Sequence, residues 1–315
     1  MNTDRASTTA RLIAAATVMC TQSKTYSLSP PAGAALWCER FLATSRTDRL
    51  LLRSVRSVLG KVGWRFVESM TVPGIVAHWM RRKRVIDDLV RAAATEGFTQ
   101  LIVLGAGLDT LAFRLAHEHL FEHIISADHP ATLAVVRAAT TRNGVRSTDA
   151  SSDMVPTDQD GAMPERHPLE LLSLDLAHDD ACTILTDSPG FDATRATIIV
   201  IEGVLMYLPV SAVADLLRSL AKVPIPRIRL VASWMNATPG QPVGFVGQSR
   251  HVAAWLRRWG EPMLWGTTAE ALPSFLAELD WVNARIIDLA DARSVKDEGL
   301  RALQSEQLLL ADKAS

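Results

Sequence analysis

Four acidic residues stand where apolar runs of this chain end, and together they could form one binding site. Asp109 follows the run 101–104, and Asp128, Asp175 and Glu202 end or follow three later runs. Each run has the length and composition of a buried strand. Because ligands of open α/β sheets bind outside the carboxyl ends of the strands, these carboxylates are predicted to surround one ligand.

The first of these runs leads into a glycine turn. Residues 100–110 read Gln-Leu-Ile-Val-Leu-Gly-Ala-Gly-Leu-Asp-Thr, which predicts a strand covered on both faces, a turn and the start of a helix. Gly105 and Gly107 would let the backbone approach a ligand closely. The dinucleotide fingerprint needs a third glycine, which is Thr110 here, and Asp109 would repel a pyrophosphate. Asp109 is compatible instead with a cationic ligand, such as the amino and sulfonium groups of S-adenosylmethionine.

The second run, 123–128, ends in a carboxylate about twenty residues after the turn, where a ribose is often bound. Asp128 could accept hydrogen bonds from both ribose hydroxyls. The alternative is that Asp128 only caps a helix that begins at Pro130. Further on, Asp175 and Leu176 stand where an adenine edge would be held, and Glu202 ends a fourth strand.

Several motifs together resemble the leucine carboxyl methyltransferase family, and most closely its bacterial branch, which includes O-methyltransferases of polyketide pathways. The resemblance extends over about 82–281. The motifs are Met-Arg-Arg-Lys-Arg-Val-Ile-Asp-Asp (80–88), Val-Leu-Gly-Ala-Gly-Leu-Asp-Thr (103–110), Asp-His-Pro (128–130), Asp-Leu (175–176), Glu-Gly-Val-Leu-Met-Tyr-Leu (202–208) and Gly-Glu-Pro-Met-Leu-Trp-Gly (260–266).

This resemblance implies a Rossmann-like α/β fold of the class I methyltransferases, with a seven-stranded, mostly parallel sheet and an amino-terminal helical cap. It implies S-adenosylmethionine as the cofactor. Arg82 would bind the methionine carboxylate, Asp128 the ribose, and Glu202 would lie near the methionine amino group. The full cofactor set is Arg82, Gly105, Ala106, Gly107, Asp109, Asp128, Asp175, Leu176 and Glu202.

The expected reaction is transfer of a methyl group to an oxygen of a small metabolite or a carrier-bound intermediate, either a carboxylate or a hydroxyl. A protein C-terminal carboxylate is an alternative acceptor. A non-catalytic partner protein with this fold is another alternative, because Leu111 replaces an arginine usual in the family. A nicotinamide-dependent oxidoreductase is a third alternative, but its fingerprint requires a glycine at the position that Thr110 occupies.

No residue is assigned as the catalytic base. Tyr207, His129 and His251 are candidates, and each is also expected in a structural role. A group of aromatic residues could wall the acceptor pocket or simply belong to the core. They are Trp234, Phe245, Trp255, Trp259 and Trp265.

Composition limits the partners. The chain has 315 residues, of which 48% are hydrophobic, and a net charge of −1, so no nucleic-acid partner is expected. The three cysteines, Cys20, Cys38 and Cys182, are widely spaced and indicate neither a disulfide framework nor a metal site. A reducing cytoplasm is the expected location. The apolar run 11–20 is too short to span a bilayer and is predicted to be a buried helix of the cap rather than an export signal. No membrane partner is expected.

Three zones are predicted along the chain. Residues 1–79 form the helical cap, and 80–315 form the cofactor-binding domain, with a substrate-side insertion at about 236–268. The polar stretch 147–167 is predicted to be a mobile surface loop. The basic run 81–84 is expected at the solvated start of a helix, with Arg82 alone reserved for the cofactor.

Overall fold

A seven-stranded sheet forms the centre of the protein in the computed structural model, which describes residues 7–22, 30–142, 169–289 and 303–314. The strands are β1 (Gln100–Leu104), β2 (His123–Asp128), β3 (Leu169–Ser173), β4 (Thr197–Ile201), β5 (Ile228–Met235), β6 (Trp281–Ile287) and β7 (Glu306–Lys313). Their order is β3-β2-β1-β4-β5-β7-β6. The first five are parallel, and β7 runs antiparallel between β5 and β6. The expected Rossmann-like, mostly parallel sheet is therefore confirmed.

Helices cover both faces of this sheet. In the described part of the chain they are α1 (Thr8–Thr21), α2 (Ala34–Leu42), α3 (Arg46–Arg56), α4 (Val58–Thr71), α5 (Ile75–Thr95), α6 (Leu111–His117), α7 (Pro130–Arg142), α8 (Ala181–Thr186), α9 (Val210–Lys222), α10 (Arg250–Arg258) and α11 (Leu272–Ala277), with one 3-10 turn at Leu205–Tyr207. No helix within the described residues is both long enough and apolar enough to cross a membrane.

The apolar runs form strands because both of their faces are buried. All five residues of β1 are buried, and so are all five of β4. Leu101 and Val103 belong to one core layer, whereas Ile102 and Leu104 belong to the layer on the opposite face. This alternation is the two-residue period of a strand that is covered on each side.

The chain changes direction in the sheet between β1 and β4. From β1 it moves outward to β2 and β3, and it then returns to place β4 on the other side of β1. The two loops that leave β1 and β4 therefore separate at their carboxyl ends and open a crevice. Crevices at such switch points are the usual ligand sites of open α/β sheets.

The amino-terminal part is helical, as predicted, and α1 buries the run from Ala14 to Cys20. The expected domain boundary at 79/80 falls inside α5. The prediction that the basic run 81–84 is the solvated start of a helix is wrong: α5 begins six residues earlier than Arg81, and the Arg81 side chain is buried. Arg82, which was reserved for the cofactor, is buried as well.

The later elements lie where the sequence predicted them. β5 was expected over 229–234, a tryptophan-bearing helix over 251–259, and the last two strands over 281–288 and 307–311; the structure has β5, α10, β6 and β7 at these places. The predicted loop 147–167 lies outside the described residues. In the predicted insertion 236–268, Asn236 pairs with Thr267 in an isolated bridge, which closes the segment at its base.

Candidate active site

A cavity of about 260 Å³ opens at the carboxyl ends of β1 to β4, beneath the first half of α1. Its lining includes every residue that the sequence predicted for the cofactor, namely Arg82, Gly105, Ala106, Gly107, Asp109, Asp128, Asp175, Leu176 and Glu202. Residues from α1 close the cavity from above, among them Ala10, Ile13 and Thr17. The carboxylates at the four strand ends thus surround one space, as the spacing of the apolar runs indicated.

The glycine turn forms one wall of this cavity. Gly105 and Gly107 have φ values of +64° and +59°, in the left-handed region where a side chain is strained. A Cβ atom on Gly105 would lie 2.4 Å from Cγ2 of Val204, in the loop after β4. A Cβ atom on Gly107 would lie 3.2 Å from Cβ of Ala10 in α1. Glycine is therefore required at 105 both by the backbone conformation and by the close packing of the two loops.

Asp128, at the end of β2, is tied to the same turn. Its Oδ2 accepts a hydrogen bond from the backbone N–H of Gly107 at 2.6 Å, and its Oδ1 accepts one from the N–H of His129 at 2.7 Å. A further contact with the Thr132 side chain, in the first turn of α7, agrees with the capping role. Burial raises the pKa of Asp128 although these donors favour the charged form. Asp128 thus shapes the turn and also faces the cavity.

Arg82, on α5, lies between two carboxylates. Its Nε and Nη2 are each 2.9 Å from Oε1 of Glu202, and its Nη1 is 2.7 Å from Oε2 of Glu306, the first residue of β7. Burial would lower the pKa of Arg82, but the two carboxylates outweigh it and raise the pKa further. Glu306 also accepts a hydrogen bond from Nε2 of His78 at 2.8 Å. The guanidinium is therefore held rigidly at the edge of the cavity.

Lys83 extends this network to the glycine turn. Its Nζ pairs with Oδ1 of Asp109 and lies 3.2 Å from Oε1 of Glu202. Burial opposes ionisation of Asp109, but Lys83 and the N–H of Leu111 hold the pKa of Asp109 below its usual value. The sequence matched Asp109 with cationic groups of a ligand. In the structure, the cation that pairs with Asp109 is the protein's own Lys83.

Asp175 and Leu176, after β3, lie at another part of the lining. Asp175 accepts a hydrogen bond from the N–H of Ala177 at 3.0 Å and contacts Nδ1 of His178 at 2.8 Å. Burial opposes ionisation, but the His178 contact and the Ala177 N–H keep the pKa of Asp175 lowered. Leu176 approaches the glycine turn from this side, since a Cβ on Gly105 would lie 3.3 Å from its Cδ1. An acidic and an apolar side chain thus meet where a planar heterocycle is expected.

The three candidate bases do not all lie at the cavity. Tyr207 and His129 line the cavity, whereas His251 is exposed at the start of α10 and is absent from the lining. Burial raises the pKa of Tyr207 above its usual value, and the nearby charge of Glu261 adds to this effect. Tyr207 is therefore protonated at neutral pH, and its hydroxyl hydrogen-bonds to the Thr9 side chain.

The aromatic residues that could have walled an acceptor pocket do not line this cavity. None of the five aromatic residues Trp234, Phe245, Trp255, Trp259 and Trp265 is in its lining. The Trp234 and Trp265 side chains are buried in the core layer on one face of the sheet. Helical spacing marks these residues as apolar anchors but does not tell which space they fill.

Four residues of the site were missed by sequence reasoning: His78, Lys83, Glu261 and Glu306. Glu261 accepts hydrogen bonds from the N–H groups of Thr8 and Thr9 at 2.8 and 3.2 Å, which fixes the start of α1 over the cavity. One signal was available for Glu306, a carboxylate that stands two residues before the apolar run of a strand, which begins at Leu308. Its ion pair with Arg82 joins segments 224 residues apart, and nothing local indicates it.

Comparison with known proteins agrees with this geometry. Residues 27–221 match the family model described as leucine carboxyl methyltransferase. A protein of Mycolicibacterium smegmatis is 29% identical over 182 residues, which cover 58% of this chain and 53% of that protein. A protein of Parafrankia sp. is 29% identical over 234 residues, which cover 73% and 64%. Both are provisionally named S-adenosyl-L-methionine-dependent methyltransferases.

A solved structure shares the fold. It is the crystal structure of a protein from Thermobifida fusca that is assigned as a methyltransferase. The two structures superpose with a TM-score of 0.56 at 17% sequence identity, and the match covers 91% of this chain and 96% of that one. The chain spans between about half and two-thirds of the length of the two curated relatives. Because the family model matches more than half of its residues, the chain belongs to the leucine carboxyl methyltransferase family, whose members use S-adenosylmethionine.

Proposed function

We propose that the protein is an S-adenosylmethionine-dependent O-methyltransferase that methylates a hydroxyl group of a small or carrier-bound metabolite. The observation that carries the proposal is the convergence of Arg82, the glycine turn and the four strand-end carboxylates on one cavity. When bound, S-adenosylmethionine supplies an electrophilic methyl group on a sulfonium.

The residues of the cavity fit this cofactor. A Cβ atom at Gly105 would collide with Val204, so only glycine lets the turn and the loop after β4 pack together as one wall of the cavity. Asp128 presents a carboxylate to a diol, and Arg82 presents a guanidinium to a carboxylate. Glu202 and Asp109 offer negative charge to an ammonium group. A ligand with separate cationic, anionic and diol parts therefore finds a complementary group for each.

The charge of the cavity favours a neutral acceptor. Two cations, Arg82 and Lys83, face it, and both are already paired with carboxylates. Five carboxylates line it, namely Asp109, Asp128, Asp175, Glu202 and Glu261. A carboxylate acceptor would enter a field of its own sign, whereas a hydroxyl would not. The same reasoning disfavours a protein C-terminal carboxylate as the acceptor.

The protein contributes position, a dry site and a donor. The first half of α1 covers the cavity, and Glu261 holds the start of that helix in place. Methyl transfer to a hydroxyl forms an O–C bond and breaks the S–C bond of the sulfonium, and alignment of the reacting atoms lowers the barrier. The hydroxyl gives up its proton as the bond forms, and His129, a candidate base that lines the cavity, can accept it. Tyr207 lines the cavity in its protonated form and can orient an acceptor oxygen through a hydrogen bond.

The cofactor is tested by thermal shift with S-adenosylmethionine, S-adenosylhomocysteine and NAD on the wild type and on Asp128→Ala. A ligand at a hundred times its dissociation constant stabilises by about 2.7 kcal/mol, which moves the midpoint by several degrees. We expect a shift with the two adenosyl ligands, none with NAD, and loss of the response in the variant. The absence of any shift would support the non-catalytic partner instead.

The acceptor class is tested with methyl-labelled cofactor and matched pairs of aromatic substrates that carry either a hydroxyl or a carboxylate on the same ring. Label is expected in the hydroxyl compounds, as an ether that survives mild alkali. Label that alkali releases would identify a methyl ester and would contradict the hydroxyl assignment, while leaving the cofactor assignment intact.

A further inference from the structure

We infer that Glu306 makes the site discriminate between the sulfonium cofactor and its thioether product, by giving the buried network around Arg82 one more carboxylate than it has cations. This inference rests on the proposed function, because it concerns the two ligands of a methyl transfer. Glu306 would be a residue that determines ligand preference without touching the ligand.

The network has an excess of negative charge. Its cations are Arg82 and Lys83, and its anions are Asp109, Glu202 and Glu306. Each of these five side chains is at most 14% exposed. Arg82 bridges the two glutamates and Lys83 bridges Asp109 and Glu202. Two cations against three carboxylates leave one negative charge.

His78 is joined to this network by one hydrogen bond. Its Nε2 hydrogen bonds to Glu306, and its Nδ1 is buried without a hydrogen-bond partner among the described residues. A protonated imidazole would carry a second N–H at Nδ1, and that donor would be buried and unpaired.

The two ligands differ in charge and little else. S-adenosylmethionine carries one carboxylate, one ammonium and one sulfonium, and has a net charge of +1. S-adenosylhomocysteine lacks the methyl group and the sulfonium charge, and is neutral overall. Contacts to adenine, ribose and the amino-acid part are common to both. The net charge of the surroundings therefore acts on the difference between them, and does so most strongly at a site shielded from water.

Among the three carboxylates of the network, Glu306 can be substituted without altering a residue that lines the cavity. It is fully buried on β7 and is absent from the lining of the cavity, whereas Asp109 and Glu202 line it. Removing its charge alters the potential without removing a group that touches a ligand. Replacing it by aspartate keeps the charge and alters the geometry. These two substitutions separate the effect of charge from the effect of position.

The test is calorimetric measurement of both dissociation constants for the wild type, Glu306→Gln, Glu306→Asp and His78→Gln at one ionic strength. We expect the ratio of the constant for S-adenosylmethionine to that for S-adenosylhomocysteine to rise at least about threefold in Glu306→Gln. The ratio should stay near the wild-type value in Glu306→Asp and in His78→Gln.

An unchanged ratio in Glu306→Gln, or an equal rise in Glu306→Asp, would overturn the inference, even if both ligands still bind. Failure of the wild type to bind either ligand would refute the proposed function instead. If circular dichroism shows Glu306→Gln to be unfolded, the wild type is given an analogue with a protonated amine in place of the sulfonium. That analogue should bind at least about threefold more tightly than S-adenosylhomocysteine, and equal or weaker binding overturns the inference.

Discussion

The Oδ2 atom of Asp128 lies 2.6 Å from the backbone nitrogen of Gly107, so the end of β2 holds the turn that follows β1. The same carboxylate accepts the N–H of His129 through its other oxygen. A residue expected to bind a ligand thus also determines the shape of the adjacent wall. Binding and local stability are therefore coupled at Asp128.

Substitution of Asp128 should separate these two roles. Asp128→Ala leaves two backbone donors without their acceptor, and we expect a loss of about 1–3 kcal/mol in the free energy of unfolding. Asp128→Asn keeps one acceptor oxygen and should lose less stability, while the response to adenosyl ligands falls in both variants. Urea unfolding and thermal shift measure the two effects. Equal destabilisation by the two substitutions would show that the hydrogen bond to Gly107 contributes little.

Gly105 should be intolerant of a side chain for two separable reasons. Gly105→Ala places a methyl group against Val204 and also strains a backbone with positive φ. Gly240 has a φ of +77° and nothing within 4 Å of its Cβ position, so Gly240→Ala reports the backbone strain alone, of the order of 1 kcal/mol.

We expect Gly105→Ala to cost clearly more than Gly240→Ala in urea unfolding. Adding Val204→Ala to Gly105→Ala should recover the difference, because it removes the methyl group in the way. The double-mutant cycle measures this coupling directly. If the coupling energy is zero, the two loops do not pack as closely as the structure shows.

The ionisation of Glu306 should make the free energy of unfolding depend on pH in the acid range. Burial opposes its ionisation, but Arg82 and His78 outweigh it and lower the pKa of Glu306 to about 2 in the folded protein, against about 4.3 in an unfolded chain. A lowered folded pKa stabilises the protein above the unfolded pKa, and this contribution is lost as the pH falls toward the folded value.

The wild type should therefore lose stability between about pH 5 and pH 2, by roughly 3 kcal/mol from this group. Glu306→Gln cannot titrate, and its unfolding free energy should decline less steeply in this window. Urea unfolding at a series of pH values gives both slopes. Parallel slopes would mean that Glu306 does not titrate differently in the two states.

The cysteines should differ in reactivity toward thiol reagents. Burial raises the pKa of Cys20 and of Cys38 to about 12, so almost no thiolate is present at pH 8. Burial raises the pKa of Cys182 as well, but its side chain is only half-buried, and we expect it to be the first to react in the native protein. Mass spectrometry after brief exposure to a maleimide should show one adduct, absent from Cys182→Ser. Fast modification of Cys38, which lines the cavity, would show that α1 opens readily.

Much of the fold could be predicted because its signals are local. The runs that became β1, β2 and β4 are continuous and apolar, and parallel strands covered on both faces require this. Their end residues could be grouped because the carboxyl ends of parallel strands share an edge. The grouping of the four strand-end carboxylates was therefore predictable from spacing once the strands were recognised, whereas Arg82 was assigned only through the resemblance to a family.

What could not be predicted depends on partners distant in the chain. Lys83 looked like a solvated residue because its partners, Asp109 and Glu202, lie on separate loops. The sequence marked Trp234 and Trp265 as apolar residues but did not show which way their side chains face. In the structure they fill the core rather than the cavity. A local sequence pattern indicates that a side chain is buried, but only the topology determines which elements it packs against.

The place of β7 in the sheet also constrains the order of assembly. β7 lies between β5 and β6, so β6 has β7 as its only strand neighbour in the described sheet. The β6 strand therefore joins the sheet only once β7 has inserted beside β5, and Arg82 lacks one of its two carboxylates until Glu306 is in place. The sheet and the charged site are therefore completed by the same step of folding, the insertion of residues 306–313.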